Sequence, residues 1–185
     1  WAQLRQTRGD RLITLPCRLT RRKGHRDFIH LVARLNEAGL NVYGLVVGGD
    51  DPRRSAYAEE IKRMAASEGA GRIVFTGHRD DVREIYALSD LVLSLSRQPE
   101  SFGRTVLEAL SLGVPVVGYH PGGVGDERGH VVPPGRTHPG GADALYERVS
   151  DFLRTPPVVT PPSGYTLDDM LNKTLQVYRE VGGRV

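Results

Sequence analysis

Short apolar runs alternate with amphipathic stretches along most of this chain, and that alternation restricts the fold more than any other feature. Leu12 to Leu15, Val42 to Val47, Ile73 to Phe75, Leu91 to Leu95 and Val114 to Val117 read as strands of three to six residues. Between them, apolar residues fall at helical spacing: Phe28, Leu31, Val32 and Leu35, then Ile61, Met64 and Ala65, then Val82, Ile85 and Leu88. Gly39, Gly48, Gly49 and Gly77 punctuate the units. Strands that are apolar throughout are buried on both faces, the condition of a parallel sheet covered by helices. The pattern predicts an α/β fold with such a sheet. Val131 and Val132 are expected to add a sixth strand, and Ala142 to Leu153 a helix.

The ends of the chain read differently. Residues 1 to 10 are polar and irregular, a linker remnant on this reading, and the opening Trp1 without a methionine suggests an excised domain. Residues 11–155 form the expected domain. Pro156 to Ser163 is a proline-rich connector, followed by a final helix from about Thr166 to Val181. Its apolar positions include Met170, Leu171, Leu175 and Tyr178, placed to pack back over the domain or onto a neighbour outside the chain. A hydrophobic fraction of 39% with 25% charged residues is ordinary for a soluble protein of 185 residues with one core. No apolar run approaches the ~18 residues of a membrane span, and no signal peptide opens the chain. Cys17 is the single cysteine, so no internal disulfide can form and a cytoplasmic location is expected. The net charge is +3, and of 25 basic residues only Lys23, Lys62 and Lys173 are lysines. The arginines are scattered rather than gathered in a stripe, which argues against nucleic acid as a partner.

In open parallel sheets, ligands bind at the carboxyl ends of the strands. That rule gathers Arg18 with Lys23 and Gly24, Gly48 to Asp51, Gly77 to Arg79, Ser96 to Gly103, and Tyr119 to Gly123. Arg18 and Lys23 can converge on a diphosphate, one as a planar fork and the other as a point charge. Taken alone, the same loop reads more readily as solvated basic surface. The segment Glu100-Ser101-Phe102-Gly103-Arg104-Thr105-Val106-Leu107-Glu108 leads into a helix, whose first N–H groups and positive dipole end suit a phosphate. Gly103 permits close backbone approach and Thr105 offers a hydroxyl. The blander reading makes Ser101 an N-cap and Glu108 a surface residue. If the whole span were helical, Glu100 and Glu108 would stand roughly 12 Å apart, beyond the roughly 5–9.5 Å of glycosidase carboxyl pairs. Two grips on one ligand fit better than a hydrolytic pair.

Other chemistries find little support. Asp50-Asp51 lacks the partners of a metal site, and histidines 25, 30, 78, 120, 130 and 138 lack zinc spacing. Neither GxGxxG, a P-loop nor a G-x-S-x-G elbow occurs.

The motifs together resemble the C-terminal, donor-binding domain of retaining GT-B glycosyltransferases, glycosyltransferase family 4 or group 1. Five segments match in order: Leu15-Pro-Cys-Arg18 with Lys23-Gly24; Leu45-Val-Val-Gly-Gly49; Val74-Phe-Thr-Gly77; Asp90-Leu-Val-Leu-Ser94 running to Glu100-Ser-Phe-Gly103 and Glu108; and Gly113-Val-Pro-Val-Val117 with Gly122-Gly123. The resemblance covers roughly residues 12–155. It implies a Rossmann-like parallel sheet of about six strands flanked by helices, one half of a GT-B fold. It also implies a nucleotide-diphosphate sugar as donor and no bound metal or other cofactor for the chemistry. Arg18 and Lys23 would stabilise the departing nucleotide, Glu108 would hold the ribose, and Glu100 with Ser101, Phe102 and Gly103 would meet the sugar. Gly77 to Arg79, with His78 between, would meet the base largely through backbone groups, Arg104 and Thr105 would lie beside the phosphates, and Gly24 and Gly48 would also belong to the donor site. The acceptor, a glycan or lipid, would be held by an N-terminal domain that has no counterpart here, and peripheral membrane association would belong to the full-length protein. The stretch Gly122 to Gly129 is shorter than the family's usual segment, and Glu127 has no clear counterpart. Two other readings share the fold: a nucleotide-sugar epimerase, which Lys23 and the two glutamates oppose, and a nucleotide-binding module without turnover.

Overall fold

Six strands of the described residues form one sheet: β1 (Arg11–Pro16), β2 (Val42–Val47), β3 (Ile73–Gly77), β4 (Leu91–Ser94), β5 (Val116–Tyr119) and β6 (Arg136–Thr137). The computed structural model describes residues 9–49, 55–98, 104–119, 136–137, 141–163 and 167–182. Strand order is β3-β2-β1-β4-β5-β6, and every neighbouring pair is parallel. The helices are α1 (His25–Glu37), α2 (Ser55–Glu68), α3 (Val82–Leu88), α4 (Arg104–Ser111), α5 (Ala142–Arg154) and α6 (Leu167–Gly182).

Alternation along each strand decides which helices it meets. Ile13, Leu15, Leu91, Leu93, Leu95, Val117 and Tyr119 join Phe28, Val32 and Leu35 of α1 and Leu145, Val149 and Leu153 of α5 in one core. The intervening residues point the other way. Val92 and Val116 pack with Tyr86 of α3 and Val106 and Ala109 of α4, while Leu12, Leu45 and Val47 pack with Ile85 of α3. Full burial of each such side chain contributes about 1.5–3 kcal/mol. The central strands β4 and β5 are buried throughout, whereas every residue of β3, at the sheet edge, is half-buried. Beneath the sheet, the Thr14 and Ser89 hydroxyls share a buried hydrogen bond of 2.7 Å. The Leu12 N–H donates to Asp90 at 2.7 Å, so β4 starts in fixed register with β1.

The fifth strand begins two residues later than the apolar run predicts. Val114 is taken up by the end of α4: Gly113 adopts a left-handed φ of 74°, its N–H donates to Leu110, and the Val114 N–H donates to Ala109. Those bonds satisfy carbonyls that a helix end leaves open, and the strand then runs on to Tyr119. The sixth strand is Arg136–Thr137; Val131 and Val132, expected there, lie outside the described residues, as does the stretch from Gly122 to Gly129. On α6, Leu171, Leu175 and Tyr178 are 46%, 51% and 71% exposed, so these side chains do not pack back over the domain. Among the described residues no helix is long and apolar enough to cross a membrane.

Candidate functional site

Strand β1 has β2 on one side and β4 on the other, and the chain order reverses there. A crevice opens at the carboxyl ends of strands around such a switch point. Here it is a cavity of about 580 Å³. Arg18 enters from the end of β1, Arg22 and Lys23 from the turn after it, and Gly48 and Gly49 from the end of β2. His78 and Arg79 follow β3; Ser94 to Ser96 close β4; and Arg104, Thr105 and Glu108 project from α4.

Local sequence explains the placement of the basic residues. Arg21–Lys23 form one 3₁₀ turn that ends at Gly24, whose left-handed φ is 75°. The Lys23 N–H donates to Thr20 at 3.0 Å, fixing the turn. A Cβ on Gly24 would sit 2.5 Å from the Leu95 carbonyl oxygen, so only glycine lets this turn lie against the exit of β4. Arg18 is exposed and Lys23 half-buried. Glu108 is exposed on α4 and is the carboxylate among the described residues lining the cavity, against five arginine and lysine side chains. This excess of positive charge suits an anion with several oxygens.

The structure therefore brings together Arg18, Lys23, Gly48, His78, Arg79, Arg104, Thr105 and Glu108. Gly24 and Gly77 stand behind the wall: Gly24 supports the basic turn, and the Gly77 carbonyl accepts the Gly48 N–H at 3.0 Å. Glu100, Ser101, Phe102 and Gly103 lie outside the described residues. Arg79 is engaged by Asp81 through two bonds of 2.7 and 2.6 Å, which raise its pKa. That pairing holds its side chain beside the start of α3.

Among the lining residues that the sequence reading did not gather are Arg22, Cys17 and Tyr86. Arg22 belongs to the basic run Arg21 to Arg26, and that run was its signal. Cys17 follows β1, with its sulfur 3.3 Å from His25 Nε2. Tyr86 of α3 is 1% exposed, and its hydroxyl has no hydrogen-bond partner among the described residues. Burial, then the charge of Glu108, push its pKa well above the usual tyrosine range. A tyrosine on a short apolar helix gives no local sign of such a place.

His25 sits beneath the basic turn, 1% exposed, with Nδ1 3.3 Å from the Tyr57 hydroxyl. Burial, with help from the charge of Lys23, lowers its pKa to about 4, although a backbone bond at Thr20 opposes this. The unfolded imidazole takes up a proton near 6.5 and the folded one only near 4. Stability is therefore complete above pH 6.5 and falls as the pH drops through that window, by about 3 kcal/mol. Urea midpoints of the wild type are expected to fall more steeply between pH 7 and 4 than those of His25→Gln. Parallel curves would show that His25 does not titrate in this way.

The family model for glycosyl transferases group 1 matches residues 2–161. The 2-deoxystreptamine N-acetyl-D-glucosaminyltransferase of Streptomyces fradiae is 38% identical over 120 residues, covering 63% of this chain and 27% of the relative. The 2-deoxystreptamine glucosyltransferase of Streptomyces kanamyceticus is 31% identical over 150 residues, covering 80% and 38%. Among solved structures, Anabaena Alr3699/HepE in complex with UDP and glucose matches with a TM-score of 0.71 at 27% identity, over 83% of this chain and 42% of that one. The chain thus spans less than half the length of these relatives. Its sheet is the Rossmann-like sheet of GT-B glycosyltransferase structures. By its matched length and its fold, the chain belongs to the glycosyl transferases group 1 family.

Proposed function

We propose that this chain is the donor-binding part of a retaining glycosyltransferase that takes a nucleotide-diphosphate sugar. The observation that carries the reading is the meeting of Arg18, Lys23 and Glu108 on one cavity at the switch point of the sheet. The complex of HepE with UDP and glucose supports the ligand class. In this reading Arg18 and Lys23 grip the diphosphate, and Glu108 accepts hydrogen bonds from the ribose hydroxyls. Arg104 and Thr105 stand by the phosphates at the start of α4, and the backbone from Gly77 to Arg79 faces the base. Glu100, with Ser101 to Gly103, would meet the sugar. As the glycosidic bond breaks, negative charge gathers on the leaving diphosphate, and fixed cations in a partly enclosed site stabilise it. No step requires a metal ion. The acceptor, a glycan or lipid, would be held by parts of the protein beyond this chain, in the cytoplasm or at the inner membrane face.

Calorimetric titration of the full-length protein with UDP, GDP and ADP tests the reading. One of them is expected to bind, and Glu108→Ala is expected to weaken it about tenfold or more, the loss of charge-assisted hydrogen bonds. Binding of none, or binding indifferent to Glu108→Ala and Lys23→Ala, overturns it. Product analysis then separates transfer from isomerisation of the donor and from binding without turnover.

A further inference from the structure

We propose that Tyr86 recognises a ribose hydroxyl: its own hydroxyl donates to a sugar oxygen whose O–H donates to Glu108, so that the pair reads ribose against deoxyribose. This deepens the donor-binding reading above and rests on it. Tyr86 and Glu108 both line the cavity. The Tyr86 ring packs in one core with Val92 of β4 and with Val106 and Ala109 of α4, the helix that carries Glu108. Just beyond it, the Ser89 N–H donates to the Tyr86 carbonyl at 2.9 Å and closes α3. A ring held by close packing and by its own helix end cannot swing its hydroxyl towards another partner.

That hydroxyl nonetheless has no hydrogen-bond partner among the described residues. Other buried hydroxyls of the sheet are paired: Thr14 with Ser89 at 2.7 Å, and Tyr119, equally buried, with Asp27 at 2.9 Å. An unpaired buried hydroxyl costs stability and calls for a reason. Here the residue is part of a cavity wall, so a ligand entering the cavity can supply the missing acceptor. Charge selects the ligand group. After burial, the charge of Glu108 acts most strongly on Tyr86, and both keep it protonated and therefore a donor. A phosphate oxygen at this corner would meet the like charge of the carboxylate. A neutral hydroxyl meets no such opposition, and it has one proton to give and lone pairs to receive. It can donate to Glu108 and accept from Tyr86 at once. A C–H in its place leaves Tyr86 unpaired inside the complex, which is how a polar site rejects an analogue lacking one hydroxyl.

The test is calorimetry on the full-length protein, using whichever of UDP, GDP and ADP binds the wild type, together with its 2′-deoxy and 3′-deoxy forms. Tyr86→Phe is expected to weaken the ribose form about tenfold, and one deoxy form is expected to bind the wild type about tenfold more weakly. On that deoxy form Tyr86→Phe costs less than about twofold, because the acceptor is already gone. Equal losses on all three ligands, or no loss on the ribose form, overturn the inference. Urea denaturation of the free protein adds a readout that a merely structural role would move. Tyr86→Phe removes an unpaired hydroxyl and no hydrogen bond, so its midpoint is expected to equal or exceed that of the wild type. A lower midpoint overturns the inference and leaves the donor reading standing. If the wild type binds none of the three nucleotides, the donor reading falls and takes this inference with it.

Discussion

Lys23→Ala in the full-length enzyme is expected to lower kcat for sugar transfer by about 10²–10³, the loss found when one preorganised group facing transition-state charge is removed. Lys23 is half-buried at the end of the 3₁₀ turn, in the wall of the cavity that also holds Arg18. On the proposed donor-binding reading, negative charge on the diphosphate grows as the sugar leaves, so a cation fixed there would stabilise the transition state more than the bound donor. The signature is a kcat that falls further than donor affinity does, measured at saturating donor. A higher KM with unchanged kcat would assign Lys23 to ground-state binding alone. On the same reading Arg18→Lys should also be costly, although it conserves charge, because the planar fork proposed to meet two phosphate oxygens is lost.

Gly48→Ala is expected to destabilise the fold by about 3 kcal/mol. A Cβ on Gly48 would lie 2.2 Å from the carbonyl oxygen of Cys17 and 2.6 Å from its carbon. Both obstacles are backbone, so no side chain can turn aside. The Cys17 N–H donates to Val47 at 2.9 Å and the Gly48 N–H to Gly77 at 3.0 Å, which ties the exits of β1, β2 and β3 together. Relief of the clash would pull on all three and shift Arg18, which immediately follows Cys17. Gly49→Ala is the matched control: its Cβ would meet His78 Cβ at 3.6 Å, an ordinary contact. Urea denaturation of the two variants should therefore differ by most of the 3 kcal/mol effect. Similar midpoints would show that the close approach of β1 and β2 is wrongly described.

Much of this was legible in the chain because period and punctuation are local. The run Val42 to Val47 coincides with β2, and the spacing of Phe28, Leu31, Val32 and Leu35 marks the buried face of α1. The start of β5 was misjudged because Val114 looks like strand by composition but is held by the cap of α4, a hydrogen-bonding fact rather than a compositional one. In the site, Arg18, Lys23 and Glu108 could be gathered by a rule about strand ends together with the family resemblance. Outside the cavity lining, the hydrogen bonds that the Asp27 carboxylate accepts from the Arg97 guanidinium and the Tyr119 hydroxyl could not. Asp27 is 70 residues from Arg97 and 92 from Tyr119, and no local pattern in one sequence reports such a meeting. Tyr86 was missed for the same reason, since its place beneath the cavity depends on how α3 packs on β4.

The two walls of the cavity also carry a kinetic consequence. One wall follows β1 and the other follows β4, and the bonds that bring these strands into register span 78 residues at Leu12–Asp90 and 75 at Thr14–Ser89. Closing so long a loop costs entropy before its contacts give anything back, and such pairings are intrinsically slow to form. A ligand that grips both walls has no binding site until that closure is complete. It therefore leaves the rate of folding nearly untouched and acts by delaying the chain's escape from the finished structure.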